Sequence, residues 1–161
     1  MRRPGHASDC PGRMTRADLL AFMRAHQHAV EASVSTGGAP QAAVVGIVVS
    51  DTFELCFDTL EQTRKAANLA QNGRVAFVIG GPESGAVRTV QLEGIADRPQ
   101  GPHLAALTER YLARFPDGRV RQSWPGLIYI RVRPTWLRWS DFSVEPPVIL
   151  EWDAAGLAAL A

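Results

Sequence analysis

The sequence predicts a mainly β domain: six antiparallel strands closing into a barrel, with a few peripheral helices. Three observations carry that expectation. Short β-branched and aromatic runs recur between turn signals through most of the chain. Between them, a few segments switch to helical composition and periodicity. With 161 residues, 46% of them hydrophobic, the chain has apolar mass for one cored domain, and a strand set of this size avoids open edges by closing on itself.

Residues 1–14 are basic at Arg2 and Arg3 but lack an apolar run, so they are expected to form a flexible tail and no secretory signal. Residues 15–161 are then the domain. Residues 15–25 read as its first helix: Thr15 can cap it, Asp18 sits three residues on, and Leu19, Leu20, Phe22 and Met23 form an apolar face. Residues 28–35, rich in Ala and Val, read as a strand, and residues 36–40 supply turn chemistry. The almost continuously apolar residues 41–50 suggest a strand buried on both faces. Asp51-Thr52 leads into residues 53–59, where Phe53, Leu55 and Phe57 alternate with Glu54, Cys56 and Asp58. Two hairpins in succession suggest an antiparallel meander.

Residues 60–71 change to helical composition, and Asn72-Gly73 offers a left-handed end. Residues 74–80 form a buried-looking strand, 80–85 a loop, and 87–97 a long strand with Gly94 at a bulge. Residues 102–115 return to helix, with Leu104, Leu107, Tyr111 and Leu112 on one stripe, until Pro116-Asp117-Gly118 stops it. Residues 126–139 read as a strand pair broken at Pro134, and residues 148–152 as a short edge strand.

Composition narrows the function. A net charge of +1 creates no long-range field, so neither nucleic acid nor a membrane surface is an expected partner, and any bound anion must be held by local groups. Cys10 and Cys56 have no metal or redox spacing, and so few cysteines suit a reducing cytoplasm. Cys56, inside an apolar run, reads as a small core hydrophobe. No apolar stretch approaches the ~20 residues of a membrane helix. Gly80-Gly81-Pro82-Glu83-Ser84-Gly85 lacks the Gly-Lys-Ser/Thr of a nucleotide loop. His26 and His28 flank a helix end, where a histidine can satisfy the last carbonyls.

The informative segment is Phe57-Asp58-Thr59-Leu60-Glu61-Gln62-Thr63-Arg64-Lys65. A strand hands a polar end to a helix, and a hydroxyl, a guanidinium and an ammonium follow in line. N–H groups near a helix start favour an anion, Thr63 can donate to it, and Arg64 can grip two oxygens. A solvated helix carrying Arg-Lys has the same composition.

Asp58-Thr59 followed by Thr63-Arg64-Lys65 resembles the flavin-phosphate motif of the pyridoxamine 5'-phosphate oxidase-like superfamily. The resemblance continues through Ala67-Asn68-Leu69, Asn72 and the strand Arg74-Val75-Ala76-Phe77-Val78. It extends to Arg88-Thr89-Val90-Gln91-Leu92-Glu93-Gly94 and to Ile130-Arg131-Val132-Arg133-Pro134 with its tryptophans. It covers roughly residues 25–142 and implies a split β-barrel working as a homodimer, with FMN at the subunit interface and a small-molecule substrate. By the same resemblance Thr63, Arg64 and Lys65 would hold the FMN phosphate, with Asp58 and Thr59 near the ribityl chain. Backbone groups around Val44, Val45 and Gly46 would face the flavin ring, and Thr89 and Gln91 would offer polar contacts. Trp139, and less directly Trp136, would either wall the flavin or plug the barrel and its interface.

The departures from that family are equally specific. The stretch Gln41-Ala42-Ala43-Val44-Val45-Gly46-Ile47-Val48 carries none of the oxidase's basic residues, and nothing after Trp139 reproduces its Arg-x-His substrate motif. A phosphorylated dianion beside that strand would be costly to bury, so the expectation is a relative of the oxidase and not the oxidase itself. The flavin would perform the redox step in an FMN-dependent oxidoreductase, with no acid or base visible and a flat, uncharged substrate favoured. Two alternatives stay open: storage or sensing of flavin or of the deazaflavin F420, and a haem-binding split barrel.

Overall fold

The computed structural model describes residues 14–83 and 86–161, so residues 1–13, with Cys10 and most of the expected tail, lie outside it, as do Ser84 and Gly85. Among the described residues the order is α1 (Arg16–Ala25), β1 (His28–Val34), β2 (Pro40–Gly46), β3 (Val48–Val49), β4 (Leu55–Leu60), α2 (Arg64–Gln71) and β5 (Arg74–Glu83). There follow β6 (Ala86–Asp97), α3 (Gly101–Arg114), α4 (Gly118–Arg121), β7 (Leu127–Asp141), β8 (Val148–Asp153) and α5 (Ala154–Ala159).

The strands make one antiparallel, curled sheet in the order β2-β1-β5-β6-β7-β4-β3, with β8 also paired to β7. β7 organises it. One edge of β7 runs along β6, and the other is shared between β4 (Leu127–Val132) and β8 (Trp136–Asp141). The mainly β, barrel-like class is as expected, with eight strands in place of six. The meander is corrected. β1–β2 and β3–β4 are both hairpins, but they lie at opposite ends of the sheet. The chain between them breaks step at Ile47, whose N–H donates to Gln27 O (2.9 Å).

Other expectations shift by a turn or a bond. The α1 capping box forms as read, Thr15 accepting from the Asp18 N–H. Phe53, expected in a strand, sits in the turn before β4 with φ 63°. The helix expected from residue 60 begins at Arg64, because Thr63 caps it. Asn72 ends it in extended, not left-handed, backbone. Gly73 is needed for proximity instead: a Cβ there would stand 2.8 Å from Ala96 O. β5 runs through Gly80 and Gly81, which were expected in a loop.

β7 is continuous through Pro134. Opposite it, the β6 register slips between Glu93 and Gly94, so Thr135 has no residue of its own across the ladder. Proline is tolerated in a strand at such a bulge because no N–H is required of it. Gly94, expected at a bulge or bend, flanks the register slip, while the extra residue is Thr135 of β7.

The core gathers the inward faces: Leu55 and Phe57 of β4, Phe77 and Ile79 of β5, Leu92 of β6, Val132 and Leu137 of β7, with Leu19 and Met23 of α1. Phe57 and Phe77 meet at 5.9 Å between ring centroids. Each fully buried aliphatic or aromatic side chain contributes about 1.5–3 kcal/mol over leaving it in water. Cys56 is buried and unpaired, and burial first, then Asp58 and Glu54, pushes its thiol up to about 12. It is a core residue, not a nucleophile.

Gly94→Ala tests the bulge. Its Cβ would sit 2.6 Å from Arg133 O and 2.7 Å from Val132 Cγ1, both in the ladder. A loss of about 1–3 kcal/mol is expected in urea unfolding, the usual cost of overpacking.

Candidate functional site

β4 carries Asp58 and Thr59 to its end, the Glu61 N–H turns the chain by donating to Gly126 O (2.7 Å), and α2 starts at Arg64. Thr63 is the N-cap. Its hydroxyl donates to Leu60 O (2.8 Å) and accepts from Ala66 N (3.3 Å). Since Thr63 has one proton, the 3.1 Å contact with Thr59 takes its proton from Thr59. The two hydroxyls therefore stiffen the strand-to-helix turn, and the groups left to meet an anion are the side chains and N–H groups of Arg64 and Lys65. Arg64 is exposed, Lys65 half-buried, and that first turn contains no acidic residue. Two cations on the positive end of a helix dipole suit a phosphate group.

Beneath α2 lies a polar cluster that the sequence reading missed. Glu31 and Ser33 of β1 and Asn68 of α2 are all buried. Asn68 Nδ2 donates to Ser33 Oγ (3.3 Å), and the Gln41 amide lies 2.9 Å from Asn68 and 2.9 Å from Arg64 Nε, accepting from the guanidinium when its oxygen faces it. Glu31 is 1% exposed, and its Oε1 has no hydrogen-bond partner. Burial holds its carboxyl above the usual carboxylate range, against the opposing pull of Ser33 and Lys65. With Arg64 and Lys65 on a helix start that has no acidic residue in its first turn, the residues present fit an FMN phosphate at this corner.

The other expected residues are distributed differently. Asp58 is engaged by its own chain: Tyr111 Oη donates to Oδ1 (2.8 Å) and Arg121 Nε to Oδ2 (3.2 Å). Burial and Asp58 together push the Tyr111 phenol up. Val45 points into the core, while Gly46 faces α3, where a Cβ would meet Phe115 Cζ at 3.0 Å.

Val44, Thr89 and Gln91 form a separate group on the outer face of the sheet. The pairings Val44–Val30, Val30–Val78 and Val78–Gln91 make one row across four strands. Residues 41–50 were expected to be covered on both sides, yet Val44 is 69% exposed. Trp139 is a core residue, its ring edge-on to Phe22 at 4.5 Å, and Trp136 is half-buried between Glu93 and Asp153. His26 meets the carbonyl of Phe22 (2.9 Å) at the end of α1, as read.

These features define a split β-barrel with two cations on a helix start at one corner and a row of apolar residues on the outer face of its sheet. The chain belongs to the pyridoxamine 5'-phosphate oxidase family, whose sequence model matches residues 15–139. Among curated proteins none matches the sequence significantly. Solved structures share the fold. A haem-binding protein from Mycobacterium smegmatis superposes with TM-score 0.79 at 21% identity, over 91% of this chain and 61% of that one, so this chain spans less than two thirds of its length. A pyridoxamine 5'-phosphate oxidase-related, FMN-binding protein from Nostoc punctiforme gives 0.65 at 15% identity, over 85% and 87%. The haem storage protein HutZ of Vibrio cholerae gives 0.64 at 15%, over 73% and 88%. Among the described residues no helix is long and apolar enough to cross a membrane, and no group of His, Cys, Asp and Glu could hold a metal ion.

Glu31 predicts a pH dependence. A folded-state pKa above the unfolded one means the native protein binds the extra proton. Its stabilising contribution is therefore complete below the unfolded value, about 4.3, and is lost as pH rises through the folded value. Glu31→Gln should gain stability relative to wild type as pH is raised from about 4 to about 8 in denaturant titrations. Parallel stability curves would show that Glu31 is not the responsible group.

Proposed function

We propose that this chain is an FMN-binding oxidoreductase that works as a homodimer. The observation that carries the reading is the start of α2, where Arg64 and Lys65 stand on the helix N-terminus without an acidic residue in its first turn. Family membership supports it. In this reading Arg64 and Lys65 hold the phosphate, the Thr59–Thr63 pair fixes their turn, and the backbone around Val44 with Gln91 lies along the ring. When bound, FMN supplies the redox chemistry. The chain's own contribution is binding, orientation and an apolar wall, which favours a flat, uncharged substrate.

The second subunit is argued from β1. Its Glu31 and Ser33 are buried while Val30 and Val34 are 41% and 40% exposed, and Val78 of the neighbouring strand is 40% exposed. A water-facing strand normally has the opposite arrangement, so these valines are best covered by a second copy. Tyr111 and Phe115 close over Gly46 where a substrate phosphate would need a cation, which supports an activity other than pyridoxamine phosphate oxidation. A cytoplasmic location fits a flavin enzyme of this kind.

Purified protein incubated with FMN and desalted should keep the flavin absorbance, and Arg64→Ala should bind it roughly 10- to 100-fold more weakly, the worth of one charge-assisted hydrogen bond. A wild type that keeps no flavin but gives a Soret band with haem would replace this reading by haem binding. Retention of F420 alone would change the cofactor and leave the corner standing. Light scattering should give twice the 17.5 kDa chain mass for wild type and the single mass for Val30→Glu/Val44→Glu. A wild-type monomer would remove the second subunit from the site.

A further inference from the structure

A cavity of about 460 Å³ lies between the end of α1, β3 and the second half of α3. None of its lining residues belongs to α2 or to the outer row of valines. The volume is within the ~300–1,000 Å³ of small-molecule sites. Its apolar lining comes from Ile47, Val48, Val49 and Ala113, and its charged lining is cationic. Arg24 comes from α1, while Arg110 and Arg114 stand one turn apart on the same face of α3. Against these three guanidiniums and His26, the cavity lining contains one carboxylate, Asp51.

The guanidiniums are held in place by backbone oxygens. Arg24 Nε donates to Val49 O (3.2 Å), Arg110 Nη1 donates to the same carbonyl (3.3 Å), and Arg114 Nη2 donates to Arg24 O (3.0 Å). Each guanidinium has five N–H donors in a rigid plane, so one anchored edge orients the donors that remain. Asp51 sits among them, bonded to Arg24 Nη2 (2.5 Å) and 3.8 Å from Arg110 Nη2. Hydrogen bonding and charge from Arg24, with the charge of Arg110, hold its carboxyl below the usual range. Its side chain is 77% exposed, so it binds these arginines from the solvent side, where an arriving anion can replace it.

We propose that this cavity binds a small organic anion, a carboxylate or phosphate ester on a flat apolar body. Its head displaces Asp51 from Arg24 and Arg110, and its body lies on Ile47, Val48 and Val49. The site is independent of the flavin corner. Apolar surface without charge would hold a neutral ring, and charge without apolar surface would hold inorganic phosphate; this cavity joins the two.

Isothermal titration with benzoate and phenyl phosphate, and with phenol as the neutral probe, tests it on wild type, Arg110→Gln, Arg114→Gln, Asp51→Asn and Arg64→Ala. Circular dichroism selects the variants that fold. At least one anion should bind one-to-one and phenol should not. Either cavity-arginine variant should weaken binding about tenfold. Asp51→Asn should strengthen binding several-fold by removing the internal competitor, and Arg64→Ala should leave it unchanged. Absence of binding by both anions at millimolar concentration overturns the proposal. So does equal affinity in the folded arginine variants, weaker binding in Asp51→Asn, or loss of binding in Arg64→Ala.

Discussion

β1 turns its polar residues inward and its valines outward, and the rest of the molecule is arranged around that choice. A buried carboxyl and hydroxyl need partners, because each unsatisfied buried polar group costs about 1–3 kcal/mol. α2 supplies Asn68 to the Ser33 hydroxyl, and β2 supplies Gln41 to Asn68, while Glu31 Oε1 keeps no partner. The same packing brings Arg64 and Lys65 over the cluster, so the cations at the helix start are positioned by the polar residues beneath them. An apolar inner face at Glu31 and Ser33 would leave Asn68, and Gln41 bonded to it, no polar partner on β1.

The outward valines are the other half of that constraint. A monomer with this register exposes apolar surface that contributes nothing to its own stability, while burying groups that prefer water. The arrangement becomes favourable once the outer face is covered, since each buried Å² of apolar area contributes about 25 cal/mol. The cationic corner and the exposed outer face are thus one physical problem: the strand that turns its polar side toward α2 must offer its apolar side to something else.

The fold was legible in the sequence where local chemistry decides it. The Thr15–Asp18 capping box, the register slip at Gly94 and the alternation of Leu55, Phe57 and their neighbours each fix an element without help from elsewhere. What failed depends on distant partners. Pro134 reads as a break until the unpaired Thr135 beside it is known, and residues 41–50 read as one buried strand until the step at Ile47 separates β2 from β3. The site divides the same way. Arg64 and Lys65 were visible as a motif. Glu31 was not, because its alternation with Val30 and Ala32 would equally place the carboxyl in water.

α3 ties the two ends of the barrel together. Its Tyr111 holds Asp58 at the start of the strand-to-helix turn, Phe115 just past its end closes over Gly46, and its Arg110 and Arg114 line the cationic cavity on the adjoining face. Side chains three and four residues apart on a helix share a face, so residues 111 and 115 belong to one surface and 110 and 114 to the next. One helix thus serves both places, with Tyr111 fixing Asp58 on one face and Arg110 and Arg114 presented to the cavity on the next.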